Sequence, residues 1–229
     1  MNEYEAAIII PAYNEEKVIR KVLESLKAKY PDYAIIVVDD GSNDNTYKEV
    51  SKVKDIFLLR HIINLGQGAA LQTGIEMAKM LNVTYIVTFD ADGQHDLNDI
   101  EVFLREIKEK DYDIILGSRF LNLETKIPLI KKIVLKAGVI FTRFVNGVKV
   151  TDTHNGFRVI NLKKVPDFEL RQNRMGHATE IYDIIKKKKL KYKEMSCSIY
   201  YTEYSRQKGQ RISNIINILF DYFFQRLSK

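Results

Sequence analysis

Short apolar runs alternate with amphipathic stretches through the first half of the chain. The runs Ala6–Ile10, Ala34–Val38 and Tyr85–Phe89 are rich in β-branched and apolar residues, which is typical of strands buried on both faces. After the first run, Glu15–Ala28 carries apolar residues at helical spacing, and Asn14 is the expected N-cap. This strand–helix–strand order predicts an α/β fold with a parallel sheet and right-handed crossovers.

The next predicted elements continue this alternation. Ile56–Leu59 and Asp113–Arg119 are predicted strands, and a helix is expected to open in the stretch from Asn64 and to run to about Leu81. Glycines in that stretch permit close backbone approach, and the sequence leaves open whether this serves helix packing or direct contact with a phosphate. These glycines are Gly66, Gly68 and Gly74.

Two amphipathic stretches occupy the second half of the chain. Residues 128–146 place an apolar stripe beside cationic residues, which is typical of a membrane-surface helix but is explained equally well by core packing. A strand-like segment from Lys191 to Tyr201 and a polar loop precede a predicted terminal helix over residues 212–229. The apolar stripe of that helix needs cover from the core, a second subunit or lipid, and its aromatic residues favour an interface.

The apolar run that ends at Phe89 breaks abruptly into Asp90, Asp92 and Gln94. Open α/β sheets bind ligands at the carboxyl ends of their strands, and alternate carboxylates at such an end can face one hard cation. This arrangement predicts a divalent metal that holds phosphates. The competing interpretation is an acidic loop that only caps the following helix, which is expected to run to about Lys108.

Other ionisable residues are expected at the same edge of the sheet. Asp39 and Asp40 end the second strand in a loop rich in turn-forming residues. Arg119 ends a later strand, where its planar fork suits a phosphate group. The polar connector Thr151–Arg158 is expected to close over this edge from the far side.

One more pair of ionisable residues lies on a predicted helix. His177 and Glu180 are three residues apart and therefore share a helix face. A third metal ligand at helical spacing is missing, so a helix cap or a carboxylate that faces an acceptor is favoured over a metal-binding pair.

Composition and charge narrow the possible partners. The 229 residues suit one large domain or a domain with a modest appendage. A formal net charge of +6 favours anionic partners, whether nucleic acid, nucleotide or acidic lipid, and does not choose among them. The lysine run 186–189 fits a solvated helix end better than a nucleic-acid patch.

Cys197 is the sole cysteine, which fits a reducing compartment. A signal-peptide pattern and an apolar run of about 18 residues are both missing, so we expect any membrane contact to be at the surface.

Two classes of nucleotide-binding protein are disfavoured. The first loop lacks Gly-x-Gly-x-x-Gly, and its proline and two glutamates would repel a pyrophosphate, which argues against a Rossmann dehydrogenase. A Gly-Lys-Ser/Thr sequence follows none of the predicted strands, which argues against a Walker loop.

Five motifs follow one another between residues 11 and 119. They are Pro11–Glu15, Asp39–Ser42 with Asp44 and Thr46, Asn64–Gly68, Asp90–His95 and Gly117–Arg119, and Thr151–Asp152 with Gly156–Arg158 extends the series. Together they resemble the GT-A glycosyltransferases of family two, and within that family the polyprenyl- and dolichyl-phosphate mannosyl- or glucosyltransferases. The resemblance implies a Rossmann-like, mostly parallel sheet flanked by helices, and an inverting in-line displacement without a covalent intermediate.

The resemblance also implies roles for individual residues. Asp39 would accept a hydrogen bond from a base N–H group, and Asp40 would lie near the ribose. A Mg²⁺ or Mn²⁺ ion bridging the diphosphate would stabilise the charge that develops on the leaving group. The implied nucleotide pocket comprises Pro11, Tyr13, Glu15, Asp39, Asp40 and Asp90, and the implied metal contacts are Asp90, Asp92 and Gln94.

The acceptor decides the mechanism, with a GDP- or UDP-linked hexose as the expected donor. A polyprenyl phosphate attacks through an oxygen that is already anionic, so cations position it and no general base is needed. A sugar hydroxyl of a growing polysaccharide needs a carboxylate base, for which Glu180 and Asp152 are the candidates. A non-catalytic scaffold that binds sugar nucleotides is a further alternative. The candidate phosphate-binding cations are Arg119, Arg158, Arg206, Lys208 and Arg211.

Two features depart from the family pattern. Leu97 stands where many relatives carry proline, and the sequence stops at Lys229 where many relatives continue into transmembrane helices. We therefore expect peripheral docking at the cytoplasmic membrane face through residues 128–146 and the terminal helix, aided by a membrane-anchoring partner or a homodimer, without nucleic acid. The expected catalytic domain spans residues 1–211, with a nucleotide half to about residue 120 and an acceptor half from about residue 121, followed by the helix 212–229.

Overall fold

The computed structural model describes residues 4–121, 148–153 and 155–200. Within these ranges the chain forms a seven-stranded sheet and five helices. The strands are β1 (Ala6–Ala12), β2 (Ala34–Asp39), β3 (Phe57–Arg60), β4 (Tyr85–Thr88), β5 (Ile114–Ser118), β6 (Arg158–Asn161) and β7 (Tyr192–Ser196). The helices are α1 (Ile19–Lys29), α2 (Thr46–Ser51), α3 (Gln67–Met80), α4 (Asn98–Glu109) and α5 (His177–Lys188).

The sheet is mostly parallel, as the sequence predicts. Its strand order is β3-β2-β1-β4-β6-β5-β7, and only β6 runs antiparallel to its neighbours β4 and β5. The carboxyl ends of β1 to β5 and β7 therefore share one edge with the beginning of β6. Chain order reverses between β1 and β4, which is where open α/β sheets form a ligand crevice.

Helices cover both faces of the sheet, which explains why the strands read as continuous apolar runs rather than alternating ones. α1 and α4 pack on one face through Leu23, Leu26, Phe103 and Ile107, among others. α3 and α5 pack on the other face, and α5 contributes Tyr182 to that core. This three-layer arrangement fixes the strand ends that carry the candidate site.

The expected start of the first helix is wrong. α1 begins at Ile19 rather than Glu15, and Asn14 is not its N-cap. The backbone N–H of Asn14 donates to Ser42 Oγ at 2.9 Å, and that of Glu15 donates to Thr46 Oγ1 at 2.7 Å. Residues 14 and 15 thus bond to the loop after β2 and to the first residue of α2, instead of forming the first turn of α1. These tertiary contacts override the local helical pattern and join the loop after β1 to the loop after β2.

The strand predicted from Lys191 to Tyr201 is shorter than expected, because β7 ends at Ser196. Beyond it, Ile199 forms an isolated bridge with His95, which ties this segment to the loop that follows β4.

Candidate active site at the carboxyl edge of the sheet

Asp90 lies just beyond the carboxyl end of β4 and is held from three sides. His95 Nε2 donates to its Oδ2 at 3.0 Å, and Gln67 Nε2 donates to its Oδ1 at 3.1 Å. A Cβ atom built on Gly156 would lie 2.4 Å from Asp90 Oδ2, so the carboxylate rests directly against this glycine. The position of Asp90 is therefore fixed by α3, by the loop after β4 and by the segment that enters β6.

Asp92 is in a different electrostatic environment from Asp90. Burial would raise the pKa of Asp90, but the hydrogen bond and charge of His95, together with Arg158, lower it overall. Burial, followed by the negative charge of Asp90, raises the pKa of Asp92. Gln94 donates to both Asp92 oxygens, through its backbone N–H at 3.0 Å and through its side-chain amide. Gln94 is thus a direct neighbour of Asp92, and its role as a third metal contact stays a prediction.

The two carboxylates fit a hard divalent cation. Among the described residues, no group of three His, Cys, Asp or Glu side chains is arranged to hold a metal by itself. Mg²⁺ needs only one or two protein carboxylates when substrate phosphates supply further oxygens. The pKa of Asp92 is raised first by burial of its carboxylate and then by the negative charge of Asp90, and a bound cation would offset both costs.

The helix-cap interpretation of this loop applies to a different residue. Asp96 Oδ1 accepts a hydrogen bond from the Asn98 backbone N–H at 2.8 Å, at the point where α4 begins. Asp90 and Asp92 instead bond to Gln67, His95 and Gln94. Their position at the strand end is therefore not explained by capping.

Asp39 ends β2 and is completely buried. Its Oδ1 accepts a hydrogen bond from the Ser42 backbone N–H at 3.2 Å. Arg60 Nε lies 3.0 Å from Oδ2, yet this oxygen accepts no hydrogen bond from the described part of the chain. The Arg60 guanidinium also lies 4.6 Å above the centre of the Tyr47 ring. This oxygen and the N–H donors of Arg60 lie together at the ends of β2 and β3, and the expected contact of Asp39 with a base stays a prediction.

The Asp40 carboxylate is bound by the loop that follows β3, and its expected position near the ribose stays a prediction. It is 2% exposed, and its carboxylate accepts bonds from His61 Nδ1 at 2.7 Å, Asn64 Nδ2 at 2.9 Å, Leu65 N at 3.0 Å and Gly66 N at 2.8 Å. These four groups occupy both oxygens. Through these bonds Asp40 holds the loop between β3 and α3 in place.

The glycines at the start of α3 serve close packing. A Cβ on Gly68 would lie 1.9 Å from the Gln172 carbonyl oxygen, and one on Gly74 would lie 2.3 Å from Ile9 Cγ2. Gly66 combines a φ of +105° with a close approach to the backbone of residues 173 and 174. Of the two interpretations left open by the sequence, packing accounts for all three positions.

The first loop reaches the same edge of the sheet. Pro11 lies within β1, where it pairs with Val38 of β2. Tyr13 follows with 39% of its surface exposed, whereas Glu15 is only 9% exposed. The expected nucleotide-lining residues of this loop thus lie beside Asp39, and their contacts with a nucleotide stay predictions.

Arg119 and Asp152 form a buried ion pair on the other side of the site. Arg119 Nε and Nη2 each donate to an Asp152 oxygen at 2.7 Å, and the Arg119 backbone N–H adds a third bond at 3.1 Å. The Asp152 side chain has no exposed surface, and that of Arg119 is 12% exposed. This pair confirms that the connector Thr151–Arg158 closes over the sheet edge. It also engages the carboxylate that the sequence offered as a general base, so the geometry does not favour that role for Asp152.

Arg158 does not lie where a phosphate-binding surface residue is expected. It is the first residue of β6, is 2% exposed, and pairs with Thr88 of β4 and Leu116 of β5. Burial lowers its pKa, although Tyr182 and two carboxylates act in the opposite direction. Its Nη1 has no hydrogen-bond partner among the described residues. Because it lies inside the sheet, Arg158 acts on Asp90 through its charge, and direct contact with a lipid phosphate is not supported.

Glu180 is also engaged by the protein itself. Its carboxylate oxygens accept bonds from the backbone N–H groups of Arg171 at 3.0 Å and Gln172 at 2.9 Å. His177, on the same helix face, is 2% exposed and its Nδ1 lies 2.8 Å from the Arg174 carbonyl oxygen. Glu180 therefore fixes the loop before α5, and the structure does not place it as a base facing an acceptor.

Several predicted residues lie outside the described residues. They are Arg206, Lys208 and Arg211, together with the predicted helices at residues 128–146 and 212–229. Their expected roles in acceptor binding and membrane docking stay predictions, as do the domain boundaries. Within the residues that the structure does describe, none of the helices has the length and apolar character needed to span a bilayer.

Sequence reasoning missed four residues that shape the site. Arg60 directly follows a predicted strand, and His95 lies inside the motif Asp90–His95. Their positions in the sequence could therefore have indicated that both lie at the carboxyl edge of the sheet. Gly156 was recognised only as part of a motif, and its close approach to Asp90 was not predicted. Glu194 lies in an edge strand, and nothing in its local sequence indicates its contacts across the sheet.

Comparison with known proteins agrees with this geometry. The family model for glycosyl transferase family 2 matches residues 7–168. The UDP-N-acetylglucosamine–dolichyl-phosphate N-acetylglucosaminyltransferase of Methanococcus voltae is 35% identical, and the match covers 97% of this chain and 96% of that protein. The dolichyl-phosphate beta-glucosyltransferase ALG5D of Trichomonas vaginalis is 32% identical over 94% of this chain and 71% of its own.

Solved structures show the same fold at lower identity. The crystal structure of glucosyl-3-phosphoglycerate synthase from Mycobacterium tuberculosis superposes with a TM-score of 0.65 at 13% identity, covering 97% of this chain and 79% of that one. The predicted GT-A architecture is therefore confirmed. On the family match and the relatives of similar length, the chain belongs to glycosyl transferase family 2.

Proposed function

We propose that this protein transfers a hexose unit from a UDP-linked sugar to a polyprenyl phosphate, in a reaction that depends on Mg²⁺ or Mn²⁺. The observation that carries this proposal is the shared sheet edge, where Asp90 and Asp92 lie between the buried Asp39 acceptor and the Arg119–Asp152 pair. Relatives named as transferases to dolichyl phosphate or undecaprenyl phosphate support the acceptor class.

The metal proposal rests on the chemistry of the two carboxylates. Asp90 and Asp92 would hold the ion, which would neutralise charge on the leaving diphosphate as the sugar–phosphate bond breaks. His95 and Gln67 keep Asp90 in one orientation, and Arg158 favours its ionised form. The chain thus supplies a pre-positioned anionic pair whose mutual repulsion is relieved when the donor complex binds.

The hydrogen-bond pattern at Asp39 supports our proposal of uracil as the base of the donor. Uracil presents one N–H donor between two carbonyl acceptors, whereas guanine presents two adjacent donors. Ser42 already uses Asp39 Oδ1, which leaves Oδ2 as the oxygen without a hydrogen bond, and Arg60 supplies N–H donors beside it. An acceptor with the Arg60 donors beside it suits the N–H group of uracil and one of its neighbouring carbonyl oxygens.

The choice of a phosphate acceptor follows from the absence of a suitably placed base among the two candidate carboxylates. Asp152 is bound by Arg119, and Glu180 by two backbone N–H groups. A phosphate monoester needs no base, because its oxygen is already anionic when it attacks the anomeric carbon and the bond to the diphosphate breaks. Arg119 would orient that phosphate, and one in-line displacement inverts the anomeric centre.

Access to a lipid acceptor requires the protein to reach the membrane surface. We propose peripheral association at the cytoplasmic face, with residues 128–146 and 212–229 as the docking segments and a membrane protein or a second copy as a further anchor. The amphipathic pattern of both segments and the excess of cationic residues support this assignment.

The test is an incubation of the purified protein with a short-chain polyprenyl phosphate, Mn²⁺ and a panel of UDP- and GDP-linked sugars, read by product mass. We expect a glycosyl polyprenyl phosphate from at least one UDP-sugar, and binding of UDP at least about tenfold tighter than binding of GDP. Product from GDP-sugars alone would overturn the base assignment. Transfer only to a glycan hydroxyl would overturn the acceptor, and donor binding without any product would favour a scaffold.

A further inference from the structure

Glu194 lies in the middle of the edge strand β7 and makes contacts that reach across to the Arg119–Asp152 pair. Its carboxylate accepts bonds from the backbone N–H of Thr151 at 2.9 and 2.8 Å and from that of Asp152 at 3.2 Å. Burial raises its pKa, although these backbone bonds act to lower it. A partly buried carboxylate that binds two successive backbone N–H groups holds the chain at that point.

The held segment carries the partner of Arg119. The described residues 148–153 belong to no helix or strand, so their position depends on such side-chain contacts. Tyr182 of α5 adds a second fixed point, because its hydroxyl donates to the Asp152 carbonyl oxygen at 3.0 Å. With its backbone held at N–H and carbonyl, Asp152 presents both carboxylate oxygens to the Arg119 fork.

The sheet register makes this support rigid. Glu194 pairs with Leu116 of β5, and Arg119 follows β5 directly. Glu194 thus lies in β7, and Arg119 directly follows the adjacent parallel strand β5. Asp152 of the connector bonds to both residues, through its backbone N–H and through its carboxylate. A shift of Asp152 would be transmitted to Arg119, since two of the N–H donors of its guanidinium are bound to that carboxylate.

We propose that Glu194 is a positioning residue for acceptor binding: through the Thr151–Asp152 backbone and the Asp152 carboxylate it sets the direction of the Arg119 guanidinium toward the acceptor phosphate. This inference rests on the proposed function, in which Arg119 binds that phosphate. The local sequence of β7 does not indicate this role for Glu194. In this role Glu194 holds the backbone of Asp152 so that the Asp152 carboxylate binds Arg119.

The expected effect is on acceptor affinity. Glu194→Ala leaves two backbone N–H groups without their acceptor and releases the connector. Misplacement of a positioning group by about 1 Å costs up to about a hundredfold, so we expect the KM for the polyprenyl phosphate to rise about ten- to a hundredfold. The KM for the sugar nucleotide should change less than about twofold, because Asp39, Asp90 and Asp92 are held by other elements. Glu194→Gln keeps one acceptor oxygen and should show a smaller increase.

Lys193→Gln is the matched control. Lys193 is the preceding residue of the same strand, and its Nζ pairs with Glu106 of α4 at 2.7 Å, away from the connector. We expect its KM values to equal those of the wild type. A double-mutant test completes the design. In an Asp152→Ala background, Glu194→Gln should have no further effect on the acceptor KM, because the carboxylate through which Glu194 acts on Arg119 is already missing.

Binding of geranyl phosphate, measured by calorimetry, separates failure of this inference from failure of the proposed function. If the wild type does not bind this probe, the proposed acceptor class is wrong. If the wild type binds it and Glu194→Gln binds it equally well with an unchanged acceptor KM, the positioning role is wrong while the function stands. A parallel rise in donor and acceptor KM, with a lower melting temperature, would reduce Glu194 to a general structural role and overturn the inference.

Discussion

Gly156→Ala tests whether the position of Asp90 matters for the reaction. A Cβ at residue 156 would lie 2.4 Å from Asp90 Oδ2 and 2.5 Å from Oδ1, inside the 3.0 Å that real contacts of this kind respect. The carboxylate would have to retreat by at least about 0.6 Å. The bonds from His95 and Gln67 to the carboxylate resist that movement, and the bond from Thr88 Oγ1 to the Gly156 carbonyl resists movement of residue 156 instead.

The size of the effect follows from this displacement. Misplacement of a reacting or metal-holding group by about 1 Å costs up to about a hundredfold in rate, so we expect kcat/KM to fall about ten- to a hundredfold. Overpacking of this kind also costs about 1–3 kcal/mol of folding free energy. Initial rates at a series of Mn²⁺ concentrations, together with urea unfolding, measure both effects, and the Mn²⁺ concentration for half-maximal rate should rise.

Gly176→Ala is the control for adding a methyl group to a glycine of the same chain. The nearest atoms to its Cβ would be those of the Gln172 side chain, at 3.2 Å or more, and its φ of −58° suits any residue. We expect activity within about twofold of the wild type. If Gly156→Ala also keeps wild-type rates and the same Mn²⁺ requirement, the reasoning that places Asp90 in the reacting complex is refuted.

Three further changes test separate parts of the account. Asp40→Asn should lower the free energy of unfolding by about 2–4 kcal/mol in urea titrations, because one amide oxygen replaces a carboxylate that serves four donors; a change below about 0.5 kcal/mol would contradict its loop-holding role. Glu180→Gln should keep turnover with a lipid phosphate within about tenfold, and a loss of several hundredfold would show that a general base is needed. Cys197 is 1% exposed and burial raises its pKa to about 12, so iodoacetamide at pH 8 should label it only after unfolding; stoichiometric labelling of the native protein would contradict this.

The sheet and the location of the site follow from local sequence patterns. Runs such as Ala34–Val38 are apolar at every position, and their short length and β-branched residues identify them as strands buried on both faces, as β2 (Ala34–Asp39) is. Because parallel strands place their carboxyl ends at one edge, Asp39, Asp90 and Arg119 were expected at that edge, and all three lie there. Strand burial is a strong local signal, and the edge follows from topology alone.

The roles of individual charged side chains depend on long-range contacts that local patterns do not encode. Arg158 looks like part of a polar connector, but it begins a strand that inserts antiparallel between two parallel ones. Asn14 looks like a helix cap until its backbone N–H bonds to Ser42 of another loop. Glu180 and Glu194 both bind backbone N–H groups eight to more than forty residues away, and sequence spacing gives no sign of such distances.

The most direct test of the central claim is phosphorus NMR of a reaction that contains the protein, a UDP-sugar, Mg²⁺ and a short-chain polyprenyl phosphate. The account predicts that the monoester resonance of the acceptor disappears while a phosphodiester resonance and UDP appear in equal amounts. Release of UDP with an unchanged monoester resonance would contradict it, because the sugar would then have passed to water or to a hydroxyl instead of the lipid phosphate.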